Sequence, residues 1–256
     1  MVRLTSGVIM AVVALSAMVW FPKPAFQLAV TILAAAAAFE YAPLAGRATG
    51  VGRALVVVSA MLVAWFVADV PSYLPLLSLA ALLVAAAIVL GRHRSISPAL
   101  AAPFGVLYVG VPFGLLANLR STAGWKITML LLAVVIVSDS LQYYTGRLLG
   151  RRPLAPRVSP KKTIEGAIGG VVAAAVFMLA AGPALLPATS PALLAGMGLV
   201  LALLGISGDL FESQLKRIAG LKDSSHLIPG HGGVLDRVDA LLFVTPAFFL
   251  AFQGVA

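Results

Sequence analysis

The sequence contains no cysteine, and charged residues are scarce in it. Without Cys, disulfide bonds and thiolate metal sites are excluded. Charged residues make up 11% of the 256 residues, whereas a soluble domain carries roughly a quarter, so the chain has too few to cover a water-exposed surface. No G-x-x-x-x-G-K followed by Ser or Thr occurs, which excludes a P-loop for nucleotide binding. Hydrophobic residues, in contrast, make up 61% of the chain, and the mean hydropathy is +1.04.

Apolar segments long enough to cross the ~30 Å hydrocarbon core of a bilayer recur along most of the chain. With the Pro, Gly and charged residues between them, they predict an all-α polytopic membrane protein with about nine transmembrane helices. The predicted helices cover residues 6–21, 25–43, 54–70, 73–91, 98–117, 125–147, 164–186, 191–216 and 238–254. The stretch after Arg3 could be a signal peptide, but no convincing small-residue cleavage site follows, and we expect a retained first helix. Gly166 and Gly170 form a small-xxx-small pair, which predicts close helix packing.

The distribution of Lys and Arg predicts the orientation in the membrane. Of the 18 basic residues, fifteen fall on the N-terminal side of the nine-helix arrangement, and only Lys23, Arg120 and Lys126 fall on the other side. Because Lys and Arg are retained on the cytoplasmic side, we expect the N-terminus in the cytoplasm and the chain in the inner (cytoplasmic) membrane. The same distribution accounts for the net charge of +9, so no nucleic-acid partner is expected.

Acidic residues are concentrated in the second half of the chain. Seven of the nine lie from Asp139 onward, and only Glu40 and Asp69 precede them. Carboxylates within or near a bilayer are costly and normally face a cavity or a partner. We therefore predict a scaffold of transmembrane helices at residues 1–124 and a transmembrane catalytic region with cytoplasmic loops at residues 125–256.

Polar residues cluster where the eighth predicted helix ends and the ninth begins. If the eighth helix continues to about residue 217, one helical face carries Asp209, Glu212, Ser213, Lys216 and Arg217. Asp236 and Asp239 begin the ninth helix, where acids also suit the helix dipole, so capping is the plain alternative. Gly232 and Gly233 just before them would let backbone amides approach a phosphate. Carboxylates from two helices beside Lys and Arg suit Mg²⁺ with a polyphosphate, which predicts a phosphoryl or nucleotidyl transfer site.

A long motif runs from Ser213 to Asp239. It reads S-x-x-K-R-x-x-x-x-K-D, then Pro-x-His-Gly-Gly, then x-x-D-R-x-D, with every fixed position present. This stretch resembles the signature of the phosphatidate cytidylyltransferase (CDP-diacylglycerol synthase) family. A second block also resembles that family, and it comprises Ser138-Asp139-Ser140, Tyr143, Gly146-Arg147 and Ser159-Pro160-Lys161-Lys162-Thr163-Ile164-Glu165-Gly166. Gln142 stands where the family usually has Ala, and Glu40, between Phe39 and Tyr41, lies where many members have an aromatic-flanked Glu.

The resemblance implies Mg²⁺-dependent transfer of the cytidylyl group of CTP to phosphatidic acid, giving CDP-diacylglycerol and pyrophosphate at a cytoplasmic site. It also implies a homodimer. By resemblance, Asp209 and Asp236 are the metal ligands, and the catalytic residues are these two together with Asp223, Lys216 and Arg217. The implied substrate-binding residues are Asp139, Ser159, Lys161, Lys162, Thr163, Glu165, Ser213, Lys222, His231, Gly232, Gly233, Arg237 and Asp239.

Several of these residues have plainer interpretations. Lys216, Arg217 and Lys222 could only mark the cytoplasmic boundary. The block around Glu165 could be a helix cap, although amides at a helix N-terminus also suit anion binding. For Asp139, a metal ligand, a proton path and a buried hydrogen-bond anchor all stay open.

Two other functions compete with the one that the resemblance implies. The first is the same reaction on an isoprenoid ether lipid phosphate, since composition cannot distinguish two lipid tails. The second is a cation transporter with Asp139, Asp209 and Asp236 along an ion path. Transporters tend to have internal repeats and broken helices in both halves, whereas this chain concentrates its charges at one end, so the transporter is disfavoured.

Overall fold

The computed structural model describes residues 2–46, 50–67, 73–92, 100–225, 227–228 and 232–255. Within these residues the chain forms ten α-helices, one π-helical turn and two short strands. The helices are α1 Val2–Trp20, α2 Lys23–Leu44, α3 Gly50–Phe66, α4 Tyr73–Arg92, α5 Ala101–Gly105, α6 Val111–Thr122, α7 Gly124–Leu149, α8 Ile164–Leu185, α9 Pro191–Ile218 and α10 Leu235–Val255. The π-helical turn is Val106–Gly110 between α5 and α6, and the strands are β1 Pro153–Ala155 and β2 Ser159–Thr163.

The apolar segments fold as helices of membrane-spanning length. In the described part of the chain, seven helical stretches are long and apolar enough to cross a bilayer, namely Lys23–Leu44, Tyr73–Gly91, Pro103–Thr122, Gly124–Leu149, Ile164–Leu185, Pro191–Ile218 and Leu235–Val255. The third helix is also apolar, but its 17 residues extend only about 25 Å. The polytopic helical architecture is therefore confirmed, and the count of nine spans stays a prediction.

A β-hairpin between α7 and α8 corrects the all-α prediction. Its strands are antiparallel, with Pro153 opposite Thr163 and Ala155 opposite Ser159. Prolines at 153, 156 and 160 lack the amide hydrogen that a helix needs, so this polar segment cannot continue α7. Short extended pairing gives this segment backbone partners of its own, and Ile164 N donates to Arg152 O at 2.9 Å where α8 begins.

Glycines bring the C-terminal helices into close contact. A Cβ atom at Gly170 of α8 would lie 2.8 Å from the carbonyl oxygen of Ser138 in α7, and one at Gly166 would lie 2.7 Å from that of Gln142. The predicted packing role of this glycine pair is therefore confirmed. Gly208 of α9 approaches the backbone of Asp239 in α10 in the same way. These approaches pack α7 against α8 and α9 against α10.

An aromatic cluster joins the first half of the chain to the second. The ring of Tyr108, in the π-helical turn, lies 5.6 Å from Tyr41 of α2, 5.3 Å from Phe211 of α9 and 6.3 Å from Phe243 of α10, measured between centroids. All four side chains are fully buried. The hydrophobic core therefore crosses the predicted boundary at residue 124, and the division into scaffold and catalytic region stays a prediction.

Candidate functional site

Seven charged residues from α7, α9, α10 and the loop before α10 line a cavity of about 310 Å³, here called the acidic cavity. The lining consists of Asp139, Asp209, Lys216, Asp223, Asp236, Arg237 and Asp239. All seven are among the residues that the sequence singles out, and they come from α7, α9, the loop after α9 and the start of α10. The structure thus places five carboxylates and two cations around one space.

A second cavity of about 630 Å³, here called the basic cavity, adjoins the first. Its lining consists of Asp139, Gln142, Tyr143, Gly146, Arg147, Ser159, Lys161, Lys162, Thr163 and Asp209. The hairpin strand β2 contributes Ser159, Lys161, Lys162 and Thr163, all of them predicted site residues. Asp139 and Asp209 line both cavities, so the two spaces meet at these carboxylates.

Asp209 is held by groups from the hairpin and from its own helix. Lys162 of β2 forms an ion pair with Asp209 Oδ2. Ser213, one turn further along α9, donates from Oγ to Asp209 Oδ1 at 3.3 Å. Because α9 continues to Ile218, Asp209 and Ser213 share a helical face as the spacing predicts.

Lys216 joins α9 to α10 through two ion pairs. Its ammonium group pairs with Glu212 on the preceding turn and with Asp236 Oδ1 at 2.5 Å. The Glu212 side chain is completely buried, and a buried carboxylate requires a partner of this kind. Glu212 was not predicted as a site residue, although its position four residues before Lys216 is the spacing of a helical ion pair.

The two carboxylate oxygens of Asp236 have different partners. Oδ2 accepts hydrogen bonds from Ser224 N at 3.0 Å, Ser224 Oγ at 2.8 Å and Gly233 N at 2.8 Å, whereas Oδ1 contacts Lys216. Asp236 therefore stabilises the loop before α10 and also lines the acidic cavity, and its role as a metal ligand stays a prediction. In this arrangement the Gly233 amide is engaged by Asp236, and the substrate-binding roles of Gly232 and Gly233 stay predictions.

Two other predicted residues stabilise the start of α8. Thr163 also caps α8 by accepting from Gly166 N at 3.1 Å. Glu165 Oε2 accepts from the amides of Arg151 and Arg152 at 3.0 and 3.2 Å, which ties the hairpin to α8.

Arg217 donates to the backbone carbonyl groups of Val158 and Leu221, both at 3.3 Å, and Lys222 is exposed in the loop. Arg217, Glu165 and Lys222 line neither cavity. His231 lies outside the described residues. The functional roles of these four residues stay predictions.

The hydrogen bonds of Glu40, in α2, were not predicted from the sequence. It is buried and accepts hydrogen bonds from residues at both ends of the loop between α9 and α10. The signals in the sequence were its place in an apolar helix and its aromatic neighbours, but neither indicates a partner almost 200 positions away.

The carboxylates offer the hard oxygen ligands that Mg²⁺ prefers. Among the described residues, however, no three His, Asp or Glu side chains converge closely enough to hold a metal ion by themselves. Mg²⁺ usually takes one or two carboxylates and completes its shell with water and substrate phosphates. The donor set therefore fits Mg²⁺ bound together with a phosphate-bearing substrate.

Comparison with known proteins gives one family. The sequence model of the cytidylyltransferase family matches residues 1–255. The chain is 41% identical over 149 residues to the phosphatidate cytidylyltransferase of Bacillus subtilis, covering 56% of this chain and 54% of the relative. For the phosphatidate cytidylyltransferase of Helicobacter pylori, the identity is 44% over 137 residues, covering 54% and 51%.

The Escherichia coli protein YnbB is 46% identical over 127 residues, which cover 49% of this chain and 42% of YnbB. The chain thus spans about half the length of the curated relatives it matches.

Proposed function

The chain belongs to the cytidylyltransferase family, and we propose that it transfers the cytidylyl group of CTP to phosphatidic acid, giving CDP-diacylglycerol and pyrophosphate. The observation that carries the proposal is the acidic cavity, whose lining consists entirely of charged residues and adjoins a basic cavity. The names of the Bacillus subtilis and Helicobacter pylori relatives support the same substrates.

The proposed reaction is a single displacement at phosphorus. An oxygen of the phosphatidate phosphate attacks the α-phosphorus of CTP, and a new P–O bond forms. The bond from the α-phosphorus to the oxygen that bridges to the β-phosphorus breaks, and its electron pair leaves with pyrophosphate. In such transfers the protein mainly positions the reactants and stabilises charge, which requires fixed cations and no protein nucleophile.

The cations are distributed between the two cavities in a way that fits two phosphate-bearing substrates. Arg147, Lys161 and Lys162 line the basic cavity, and Lys216 and Arg237 line the acidic cavity. We propose that the cations of both cavities bind phosphate oxygens, since Lys and Arg are strong donors to phosphate. Asp209 lies where the cavities meet, so phosphates bound by Lys162 would lie next to it.

We propose Asp209 and Asp236 as the residues that hold Mg²⁺. Both line the acidic cavity, and the three donors to Asp236 Oδ2 leave Oδ1 on the side of Lys216. Such hydrogen bonds orient a metal-ligating carboxylate. When bound, the ion would neutralise charge on the transferring phosphoryl group and on the leaving pyrophosphate.

We further propose nine membrane spans with a cytoplasmic N-terminus and the site at the cytoplasmic face of the inner membrane. Contacts between helix ends support the alternation. Arg120, at the end of α6, donates from Nε to the carbonyl oxygen of Met18, near the end of α1, at 2.6 Å. Gln27, near the start of α2, donates to Trp65 O, near the end of α3, at 2.8 Å. Each contact joins segments that nine alternating spans place on the same side.

The experiment is pyrophosphate release by purified protein in detergent with CTP, Mg²⁺ and phosphatidic acid. Release should require the lipid, disappear with EDTA, and be lost in Asp236→Asn. Lys126→Gln, a neutralised exposed charge at the other end of the bundle, should keep full activity. If only an isoprenoid ether lipid phosphate supports release, the lipid class is wrong. Absence of release with either lipid would overturn the function.

The resemblance also implies a homodimer, and we keep this as part of the proposal. The molar mass of the purified protein, measured by light scattering with the detergent contribution subtracted, tests it. A single-chain mass under conditions in which the protein is active would contradict a dimer.

A further inference from the structure

Glu40 of α2 is a buried carboxylate with two hydrogen-bond donors at each oxygen. Its side chain is 2% exposed. Oε2 accepts from Ser224 Oγ at 2.9 Å and from Leu235 N at 2.7 Å. Oε1 accepts from Ser225 Oγ at 2.6 Å and from Val234 N at 3.1 Å. An ionised carboxylate has about four lone-pair sites, and four donors surround this one, of which the Ser224 hydroxyl is shared with Asp236.

The four donors come from the two ends of one loop. Residues 224–225 follow α9, and residues 234–235 lie where α10 begins. A negative charge at a helix N-terminus is stabilised by the helix dipole, and hydrogen bonds to an ionised group are stronger than those between neutral groups. Glu40 therefore holds both ends of the loop to α2.

The same loop residues connect Glu40 to Asp236. Ser224 Oγ lies 2.9 Å from Glu40 Oε2 and 2.8 Å from Asp236 Oδ2, and its single proton can serve one carboxylate at a time. Gly233 N donates to Asp236 Oδ2 at 2.8 Å. A Cβ atom at Gly233 would overlap the carboxylate of Glu40 and the hydroxyl of Ser224. Asp236 lines the acidic cavity and Glu40 does not. Glu40 therefore acts on the cavity indirectly, through Ser224 and Gly233, which contact both carboxylates.

We propose that Glu40 is a positioning residue for the candidate site. It fixes residues 224–225 and 233–235, and through Ser224 and the Gly233 amide it sets the orientation of the Asp236 carboxylate in the acidic cavity. Glu40 does not touch substrate in this role. The inference rests on the proposed function of that cavity.

The isosteric variant Glu40→Gln tests the proposal. It replaces one acceptor oxygen with an NH2 group, which is itself a donor and lies opposite the donors of the loop. Buried N–H or O–H groups of the loop then lose their acceptor. We expect kcat/KM for CTP to fall by roughly 10- to 100-fold, the range typical of partners that orient metal ligands. We also expect a higher Mg²⁺ concentration for half-maximal activity.

Val30→Ala is the matched control for a general loss of stability. Val30 is buried in the same helix and lies about 15 Å from Glu40 along the helix axis. Removing its methyl groups leaves a gap in the core, so the unfolding temperature should fall. The Mg²⁺ dependence should stay that of the wild type.

A second readout does not depend on activity. Because the chain has no cysteine, Leu227→Cys provides a single site for a nitroxide spin label in the loop, where Leu227 is 63% exposed. The electron paramagnetic resonance spectrum then reports the mobility of the loop. We expect greater mobility with Glu40→Gln and no change with Val30→Ala.

The combined outcomes separate this inference from the proposed function. A mobile label in Glu40→Gln with a wild type that shows no CTP-dependent activity supports the role of Glu40 in holding the loop and overturns the reaction. An unchanged label, or a mobile label with unchanged kcat/KM and Mg²⁺ dependence, overturns the positioning role. If Glu40→Gln does not fold, Ser225→Ala replaces it in the same measurements of label mobility, kcat/KM and Mg²⁺ dependence. Its effects should be smaller, since it removes only one donor to Glu40 Oε1.

Discussion

Lys162 of the hairpin strand β2 forms an ion pair with Asp209 of α9. Both residues line the basic cavity, and Asp209 also lines the acidic cavity. A cation from the hairpin therefore contacts a carboxylate that we propose as a metal ligand, at the place where the two cavities meet.

Lys162→Gln should lower activity far more than stability. The side chains of Lys162 and Asp209 are 18% and 30% exposed, and partly exposed pairs of this kind contribute only about 0–1 kcal/mol to folding. Loss of a cation from a phosphate site should lower kcat/KM by about tenfold or more, measured by pyrophosphate release, because hydrogen bonds to charged groups are worth roughly 1.5–3 kcal/mol. Lys23→Gln, on the other side of the predicted topology, should behave as the wild type. Full activity of Lys162→Gln would show that Lys162 does not bind substrate phosphate.

Lys216→Met should destabilise the fold as well as abolish activity. The substitution leaves the buried carboxylate of Glu212 without its cation, and breaking a buried ion pair on one side costs about 3–5 kcal/mol. Asp236 also loses its cation, but Glu212 is the more buried of the two, so adding Glu212→Gln should raise the unfolding temperature above that of Lys216→Met. The double variant should stay inactive. Equal unfolding temperatures of the single and double variants in detergent would show that this pair is not buried as described.

Gly170→Ala should disturb the packing of α7 and α8. The added Cβ atom would lie 2.8 Å from the carbonyl oxygen of Ser138, and overpacking at such a contact costs about 1–3 kcal/mol. Gly196→Ala in α9 is the matched control, because a Cβ atom there meets nothing within 4 Å. Thermal unfolding in detergent should show a lower midpoint only for Gly170→Ala. A reduced midpoint for both variants would point to a backbone effect instead of a packing effect.

The proposed topology can be tested by labelling single cysteines, because the wild-type chain has none. In spheroplasts, a membrane-impermeant maleimide should label Lys126→Cys without permeabilisation. The same reagent should label Lys161→Cys only after permeabilisation, since Lys161 is exposed on the hairpin at the proposed cytoplasmic face. Labelling of both cysteines in intact spheroplasts would contradict the proposed arrangement, and the wild type without cysteine serves as the blank.

Particular residues show how far the candidate site could be predicted. All seven residues of the acidic cavity were named from the sequence, but on different grounds. Asp209, Lys216, Asp236 and Asp239 stand out by their spacing on α9 and at the start of α10, and Asp139 stands out as a carboxylate in an apolar segment. Asp223 and Arg237 were implied only by the resemblance to the family. The pair Glu212–Lys216 had a visible spacing, yet nothing in it showed that Asp236 would be the second partner of Lys216.

The hairpin and Glu40 show where prediction from the sequence ended. Prolines at 153, 156 and 160 exclude a helix, but strands of three and five residues are too short to give a reliable alternating pattern. Glu40 lies on an apolar helix of the predicted scaffold, and its hydrogen bonds reach Ser224 and Leu235 across the whole chain.

The sequence by itself determined that most of this chain is helical and apolar enough to lie in a membrane, and that carboxylates and cations share one face of α9. These properties depend on the transfer of local segments from water to hydrocarbon and on helical spacing, and both can be read within about twenty residues. Only the tertiary structure decided that Asp139 and Asp209 separate two cavities, that Lys216 joins Glu212 to Asp236, and that Glu40 holds the loop. Such contacts depend on how closely the helices pack, which is fixed by shape across distant segments and not by spacing along one of them.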